Sequence, residues 1–244
     1  MKIDPIIQFM KQVQGKVGSS IYAPLQGQTN PQHLAFLRQL EKERKAGESL
    51  SIPLKDLNVV VFDLETTGFY PDQGDEIISI GAIKVKGDII QHNETYYSLV
   101  RSERKLSTEI IELTGITDDN LKEAPELQQV LIEFYDFVRG DVLVAHHSNH
   151  EKNFLQHTNR KLFRSQFNHR IVDTSFLLKI AEPTINLVRL EECCEHCGIP
   201  VVERHHALGD AKLTAQLWSL YLNKIQNLGY NTLNDLYVGL SNKF

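Results

Sequence analysis

Asp63 and Glu65 stand two residues apart at the end of NVVVFDL, a short apolar, β-branched run from Asn58 to Leu64. Such a run reads as a buried strand, and the period of 2 then puts both carboxylates on one face. Two acids on one face of a buried strand repel each other and lose hydration unless something positive neutralises them. A pair of hard divalent cations does this economically, because Mg²⁺ takes carboxylate and water oxygens. Thr66-Thr67-Gly68 follows as a tight polar turn whose backbone N–H groups are free for a ligand. By itself the D-x-E spacing fits a metal site or simply the exposed end of a strand.

A second pair lies in HHALGDA, where His205 precedes Asp210 by five residues. A helix starting near Ala207 would hold Asp210 in its first turn, where the positive end of the helix dipole favours a carboxylate. His205 then falls on the preceding loop. Histidine titrates at about 6.5, which suits a general base near neutrality. The neighbouring His206 reads as a surface or capping residue.

The elements that must position these residues follow from the patterning. After Asn58–Leu64, the run Glu76–Val85 predicts a second strand, Gly87-Asp88 a hairpin turn, and Ile89–Val100 a third strand. Helices are expected over Ser107–Thr114, Pro125–Arg139, Glu151–Phe163, Leu187–Cys197 and Ala207–Asn227, with strands at Asp141–His146 and Arg170–Ser175. An antiparallel meander followed by α/β units predicts an α/β fold with a mixed sheet flanked by helices. Residues 1–56 read as an N-terminal extension: a short helix over Ile6–Val17, a Gly/Ser/Pro/Gln-rich arm, and an amphipathic helix over Pro31–Lys45. The remaining residues, 57–244, form the domain that carries the chemistry.

The 244 residues include 26 Lys+Arg and 31 Asp+Glu, a net charge of −5. No apolar run reaches the roughly 18–20 residues of a membrane helix, and no basic segment leads an apolar stretch as in a signal peptide. Three cysteines, all within residues 193–197, cannot form a disulfide framework. A soluble, cytoplasmic globular protein is expected, with no membrane partner. Cys193, Cys194, His196 and Cys197 sit on one predicted helix without the separated ligand pairs of a zinc site, so small buried hydrophobes are the expected role. The charge is uneven. Lys152 to Arg170 holds five Lys or Arg and no acid, either a solvated helix face or a local track for a nucleic-acid backbone.

Taken together, FDLETTG, Ala145-His146 before a helix carrying an acid, and HHALGDA resemble the three motifs of the DEDDh 3′–5′ exonucleases. These are proofreading enzymes typified by the epsilon subunit of bacterial DNA polymerase III and the exonuclease domain of PolC-type polymerases. DEIISIGAIKV and ELTGITDDNL add to the likeness, which covers about residues 57–225 in order. The resemblance implies a ribonuclease H-like fold and two divalent cations, Mg²⁺ or Mn²⁺. It makes Asp63, Glu65 and Asp210 metal ligands and His205 the general base. It further implies hydrolysis of the terminal phosphodiester at a nucleic-acid 3′ end, releasing nucleoside 5′-monophosphates. DNA is the favoured substrate and RNA the alternative. Thr66, Thr67, Ile116 and His146 are the expected contacts to the terminal nucleotide, with Ile116 stacking on its base.

One motif departs from the family. Where A-H-N-x-x-F-D is usual, this chain reads Ala145-His146-His147-Ser148-Asn149-His150-Glu151. Glu151 then takes the place of the usual Asp, one methylene longer, as the fourth metal ligand; the competing reading is a partner for the helix dipole. Asp173 on the next strand is the alternative ligand. A weakly active nucleic-acid-binding module is the rival outside catalysis. Residues 1–56 are a candidate docking segment for a replication or repair protein.

Overall fold

A computed structural model of the chain describes residues 48–241. The helices expected over Ile6–Val17 and Pro31–Lys45, and the arm between them, lie outside the described residues.

Five strands form one sheet: β1 (Asn58–Thr66), β2 (Ile77–Lys86), β3 (Ile89–Leu99), β4 (Val142–Ala145) and β5 (Ile171–Asp173), in the spatial order β3-β2-β1-β4-β5. β1 to β3 pair antiparallel, whereas β4 joins β1 and β5 joins β4 in parallel. The mixed sheet with an antiparallel meander and parallel returns is the one expected. Eight helices accompany it among the described residues: α1 (Thr108–Thr114), α2 (Asp118–Lys122), α3 (Leu127–Val138), α4 (Asn149–Phe163), α5 (Thr174–Ala181), α6 (Leu190–His196), α7 (Ala207–Asn227) and α8 (Leu233–Ser241).

The alternation of β1 decides which helices face which residues. Val60, Phe62 and Leu64 point to one side and pack with Val130, Leu131 and Phe134 of α3 and Phe154 and Leu155 of α4. Val59 and Val61 point to the other, against Leu213, Leu217, Trp218 and Leu222 of α7. Asp63 and Glu65 continue the odd-numbered row. They therefore emerge on the α7 side, where the hydrophobic row ends and polar groups begin.

The first turn of α7 sits very close to the sheet. A Cβ on Gly81 would lie 2.1 Å from the Leu208 nitrogen and 2.2 Å from the Ala207 carbonyl carbon. Gly81 is paired with Asp63 across the β1–β2 ladder, so the missing side chain is what lets the helix start beside that carboxylate. Trp218 further along α7 donates from Nε1 to the Gly87 carbonyl at 3.0 Å, fixing the helix to the β2–β3 turn.

Three parts of the body differ from the pattern reading. The strand expected to run to Ser175 stops at Asp173, whose side chain accepts from the Ser175 N–H at 2.8 Å and so caps α5. The apolar run Thr174–Ala181 is helical. α2 and α8 were not anticipated; α2 is five residues with a Thr117–Asn120 capping box, too short to show periodicity. Upstream of residue 57, Leu54 is buried in the main core, and its N–H donates to the Asn231 carbonyl at 2.7 Å. The packed body thus takes in residues just before Asn58. Cys193 and Cys194 are buried in the same core and Cys197 is partly buried, as small hydrophobes.

Candidate metal-dependent active site

The carboxyl ends of β1 and β4, two adjacent parallel strands, meet the starts of α4 and α7 at one point. In sheets of this kind ligands bind outside the carboxyl ends of the strands. Asp63 and Glu65 arrive from β1, with a register shift between Glu65 and Thr66 that ends the regular pairing with β2. Asp210 arrives from the first turn of α7. Each of the three offers a carboxylate oxygen, and these atoms all lie within 4.8 Å of one another.

Glu151 approaches from the first turn of α4. Its positions i+3 and i+4 are Phe154 and Leu155, both core residues, so helical spacing directs Glu151 inward as well. It is 4% exposed, and its Oε2 accepts no hydrogen bond from the described residues. Asp210 Oδ1 is likewise buried without a partner. Glu151 stands beside the close group of three and is not part of it.

Four acids in one place perturb each other. Burial, followed by the charges of Glu151, Glu65 and Asp210, holds the Asp63 carboxyl well above the usual range, opposed by Arg204. Burial and Asp210 push Glu65 up to about 7, again against Arg204. Burial, with smaller contributions from Asp173 and Glu65, pushes Glu151 up to about 8. A set of hard oxygen donors with orphaned lone pairs and repelling charges fits divalent cations such as Mg²⁺ or Mn²⁺.

Arg204, which the sequence reading did not single out, supplies the local positive charge. Its guanidinium donates from Nη1 to Asp210 Oδ2, and from Nη2 to Glu191 Oε2 at 3.1 Å. Asp210 follows it by six residues across the loop that starts α7, and Glu191 precedes it on α6, so neither pairing shows the regular spacing of a single helix or strand. Next to it, His205 has φ 60° and donates its backbone N–H to Asp210 Oδ2 at 3.2 Å. Its backbone is thereby fixed to the carboxylate while the side chain is partly exposed at the rim. Gly209 allows this turn to close: a Cβ there would be 2.2 Å from the Glu203 carbonyl oxygen. His206 is the N-cap of α7, accepting from the Gly209 N–H at 3.3 Å, and stacks on Tyr97 with ring centroids 4.5 Å apart. The capping reading of His206 fits this placement.

Other expected contacts fall differently. His146 has both ring nitrogens engaged, Nδ1 with Thr174 Oγ1 at 2.8 Å and Nε2 with the Val188 carbonyl at 3.0 Å. Burial lowers its pKa. It ties the β4 end to the segment before α6 and has no ring nitrogen left for a phosphate. Ile116 is 6% exposed and packs with Ile78, Leu106 and Leu121, which leaves little of its face for stacking on a base. Thr67 is used by the turn: its Oγ1 accepts from the Glu76 N–H at 3.0 Å. Thr66 Oγ1 donates to the Gly68 carbonyl at 2.7 Å and lies 3.2 Å from His150 Nε2. Asp173 faces backbone rather than the acidic group. It accepts from the N–H groups of Ser148, Ser175 and His147, and these bonds keep its pKa low although burial opposes them.

Comparison with known proteins agrees with this geometry. Residues 60–218 match the exonuclease family model of RNase T type. The chain is 38% identical over 188 residues to the PolC-type DNA polymerase III of Halalkalibacterium halodurans, and 33% identical over 183 residues to that of Thermotoga maritima. Those alignments cover 75% and 74% of this chain but 13% of each polymerase. Among solved structures, it resembles exonuclease X in complex with 5′ overhanging duplex DNA (TM-score 0.57, 20% identity, 75% of this chain and 99% of that one). It also resembles the nuclease domain of 3′hExo, a DEDDh family member, bound to rAMP (TM-score 0.57, 23% identity, 70% and 92%).

Proposed function

The chain belongs to the RNase T exonuclease family, phosphodiesterases of DEDDh type, and on that premise we propose that it removes nucleotides from the 3′ end of single-stranded DNA as 5′-monophosphates. The observation that carries this reading is the convergence of Asp63, Glu65 and Asp210 within 4.8 Å at the carboxyl end of β1, with Glu151 buried and unpartnered beside them.

Asp63, Glu65, Glu151 and Asp210 would hold two divalent cations, Mg²⁺ or Mn²⁺, which when bound supply a nucleophile at neutral pH and neutralise the scissile phosphate. His205 stands at the rim and takes the proton of the attacking water. Its φ and its N–H bond to Asp210 orient the loop so that the ring can meet a water above the carboxylates. The turn after β1 holds the terminal nucleotide through backbone groups near Glu65 and Thr66. DNA is favoured over RNA because the curated relatives are DNA polymerases, although this chain spans only about 13% of their length. Residues 57–244 are the exonuclease domain and residues 1–56 the extension, the end of which packs into that domain's core at Leu54. That extension carries 8 Lys/Arg and 5 Asp/Glu against an acidic remainder, and it is the candidate contact to a replication or repair protein.

The test is a 5′-labelled single strand of DNA, and one of RNA, with Mg²⁺ or Mn²⁺. The parent should shorten the DNA stepwise, and a bulky 3′ block should stop it. Asp63→Ala and Asp210→Ala should each lose at least about 10²-fold in rate while binding the oligonucleotide in part. Parental rates in both variants would end the metal-site assignment. Faster shortening of RNA would transfer the activity to RNA 3′ ends.

A further inference from the structure

The Asp210 carboxylate has two unlike oxygens. Oδ2 accepts from Arg204 Nη1 and from the His205 N–H, the latter at 3.2 Å. Oδ1 is buried and accepts from no described residue. The last torsion of an aspartate is broad and roughly two-fold, so its oxygens exchange roles unless something fixes them. Two donors on one oxygen fix them here. They leave Oδ1 bare on a side chain grouped with Asp63 and Glu65.

The guanidinium is itself held from its other prong. Arg204 Nη2 donates to Glu191 Oε2 at 3.1 Å, and Glu191 stands in the first turn of α6. That helix is anchored through Leu190, Cys193 and Cys194 in the main core. Its start is fixed as well, since the Arg189 N–H donates to Glu192 Oε2 at 3.3 Å. One planar fork therefore spans two helices, with a carboxylate on each. A lysine ammonium, a compact point charge, has no such rigid pair of prongs. Of the four acids at the site, Asp210 alone pairs with a side-chain cation among the described residues.

We propose that Arg204, braced by Glu191, is a positioning residue that holds Asp210 Oδ2 and so keeps Oδ1 available to a divalent cation. Groups behind a metal ligand set its orientation, and their loss typically costs about 10–100-fold in metal affinity or activity. The same Oδ2 carries the His205 N–H, so the fork also ties the loop of the base to the acid. The guanidinium charge repels a cation, and the orientation it imposes outweighs that repulsion. The inference rests on the metal-dependent reading above, which makes Asp210 a ligand.

The experiment titrates Mn²⁺ by calorimetry into the full-length chain without nucleic acid. Salt is held at about 1 M, where the Debye length of about 3 Å screens distant charges and leaves hydrogen-bonded orientation in place. Arg204→Leu and Arg204→Lys should each weaken Mn²⁺ binding about tenfold or more. Glu191→Gln should weaken it in the same direction, although Glu191 is not among the cation ligands. The double variant Arg204→Leu/Glu191→Gln should stay within about twofold of Arg204→Leu, because both substitutions act through one fork. Glu191 is partly exposed, so Glu191→Gln and Arg204→Lys carry the test should Arg204→Leu not fold. Unchanged or tighter binding in a folded Arg204 variant would make the guanidinium a competitor of the cation and overturn the proposal. Parental affinity in Arg204→Lys alone would reduce the role to charge, and fully additive losses would separate Glu191 from it; either result overturns the fork. A parent that binds no Mn²⁺, or an Asp63→Ala variant that binds it as the parent does, would instead end the metal-site reading, and this proposal with it.

Discussion

Glu151→Gln should make the metal-free protein more stable and the enzyme nearly inert, two effects of opposite value from one substitution. Burial and neighbouring acids raise Glu151 from 4.5 to about 8. Between those two values the folded protein keeps a proton that the unfolded chain has released. Stability is therefore lost as pH rises through that window, and none is lost below it. At pH 7 the loss amounts to about 3 kcal/mol, and at pH 5 to less than about 1 kcal/mol. A neutral amide does not titrate and escapes the loss. For a body of this size about 1 kcal/mol corresponds to roughly 2–4 °C in Tm, so in chelator at pH 7 the variant should melt about 6–12 °C above the parent. At pH 5 the two should differ by about 3 °C or less. Saturating Mg²⁺ should raise the parent and narrow the gap, because the cation then compensates the charge that the amide lacks. Turnover on a single-stranded oligonucleotide should fall at least about 10²-fold. Thermal melts at the two pH values, with chelator and with Mg²⁺, measure the stability changes, and the oligonucleotide assay measures turnover. A variant no more stable than the parent at pH 7 would refute the electrostatic argument, and parental turnover would show that Glu151 holds no metal. Glu151→Asp should retain activity and favour Mg²⁺, since the shorter acid restores the usual reach.

Three further substitutions separate roles that lie close together. His205→Ala should reduce the rate by about 10²-fold or more, whereas His206→Ala should cost about 0.5–2 kcal/mol of stability as a lost helix cap with much smaller effect on rate; equal rate losses would contradict the division. Gly81→Ala should abolish turnover and lower Tm together, because its Cβ would meet the Leu208 nitrogen at 2.1 Å and push α7 from the sheet; a variant with parental activity would show that this contact does not set Asp210. Asp173→Asn should lower stability by about 1–2 kcal/mol through its three N–H partners and leave metal affinity, read by calorimetry, within about twofold of the parent.

Local chemistry was readable in the sequence wherever one element decided it. The D-x-E at the end of an apolar run, and the start of α7 at Ala207, both follow from period and capping. What was not readable depends on distant partners. His146 looks available for a substrate until Thr174 and the Val188 carbonyl are seen to occupy its nitrogens. Ile116 sits in a loop motif, yet its side chain belongs to a satellite core with Ile78. Asp173 resembled a spare ligand, although an Asp before Thr-Ser and an apolar run is also a helix N-cap signal, and that signal would have found α5. Arg204 carried no such mark. Asp210 is only six residues further on, and the packing of α6 beside α7 brings Glu191 to the same guanidinium.

The placement of Asp210 has a consequence for how the molecule opens. Asp210 lies in the first turn of a helix whose later turns contribute Trp218, Tyr221, Leu222 and Ile225 to the main core. Amides of that helix can exchange with solvent only when much of the body comes apart. His205 is attached to the same helix by a short rim segment whose Glu203 and His205 both have positive φ, and it takes no part in that core. Because the His205 N–H is bonded to the Asp210 carboxylate, a fluctuation that displaces Asp210 disturbs the rim segment as well, and its cost is that of opening the main core.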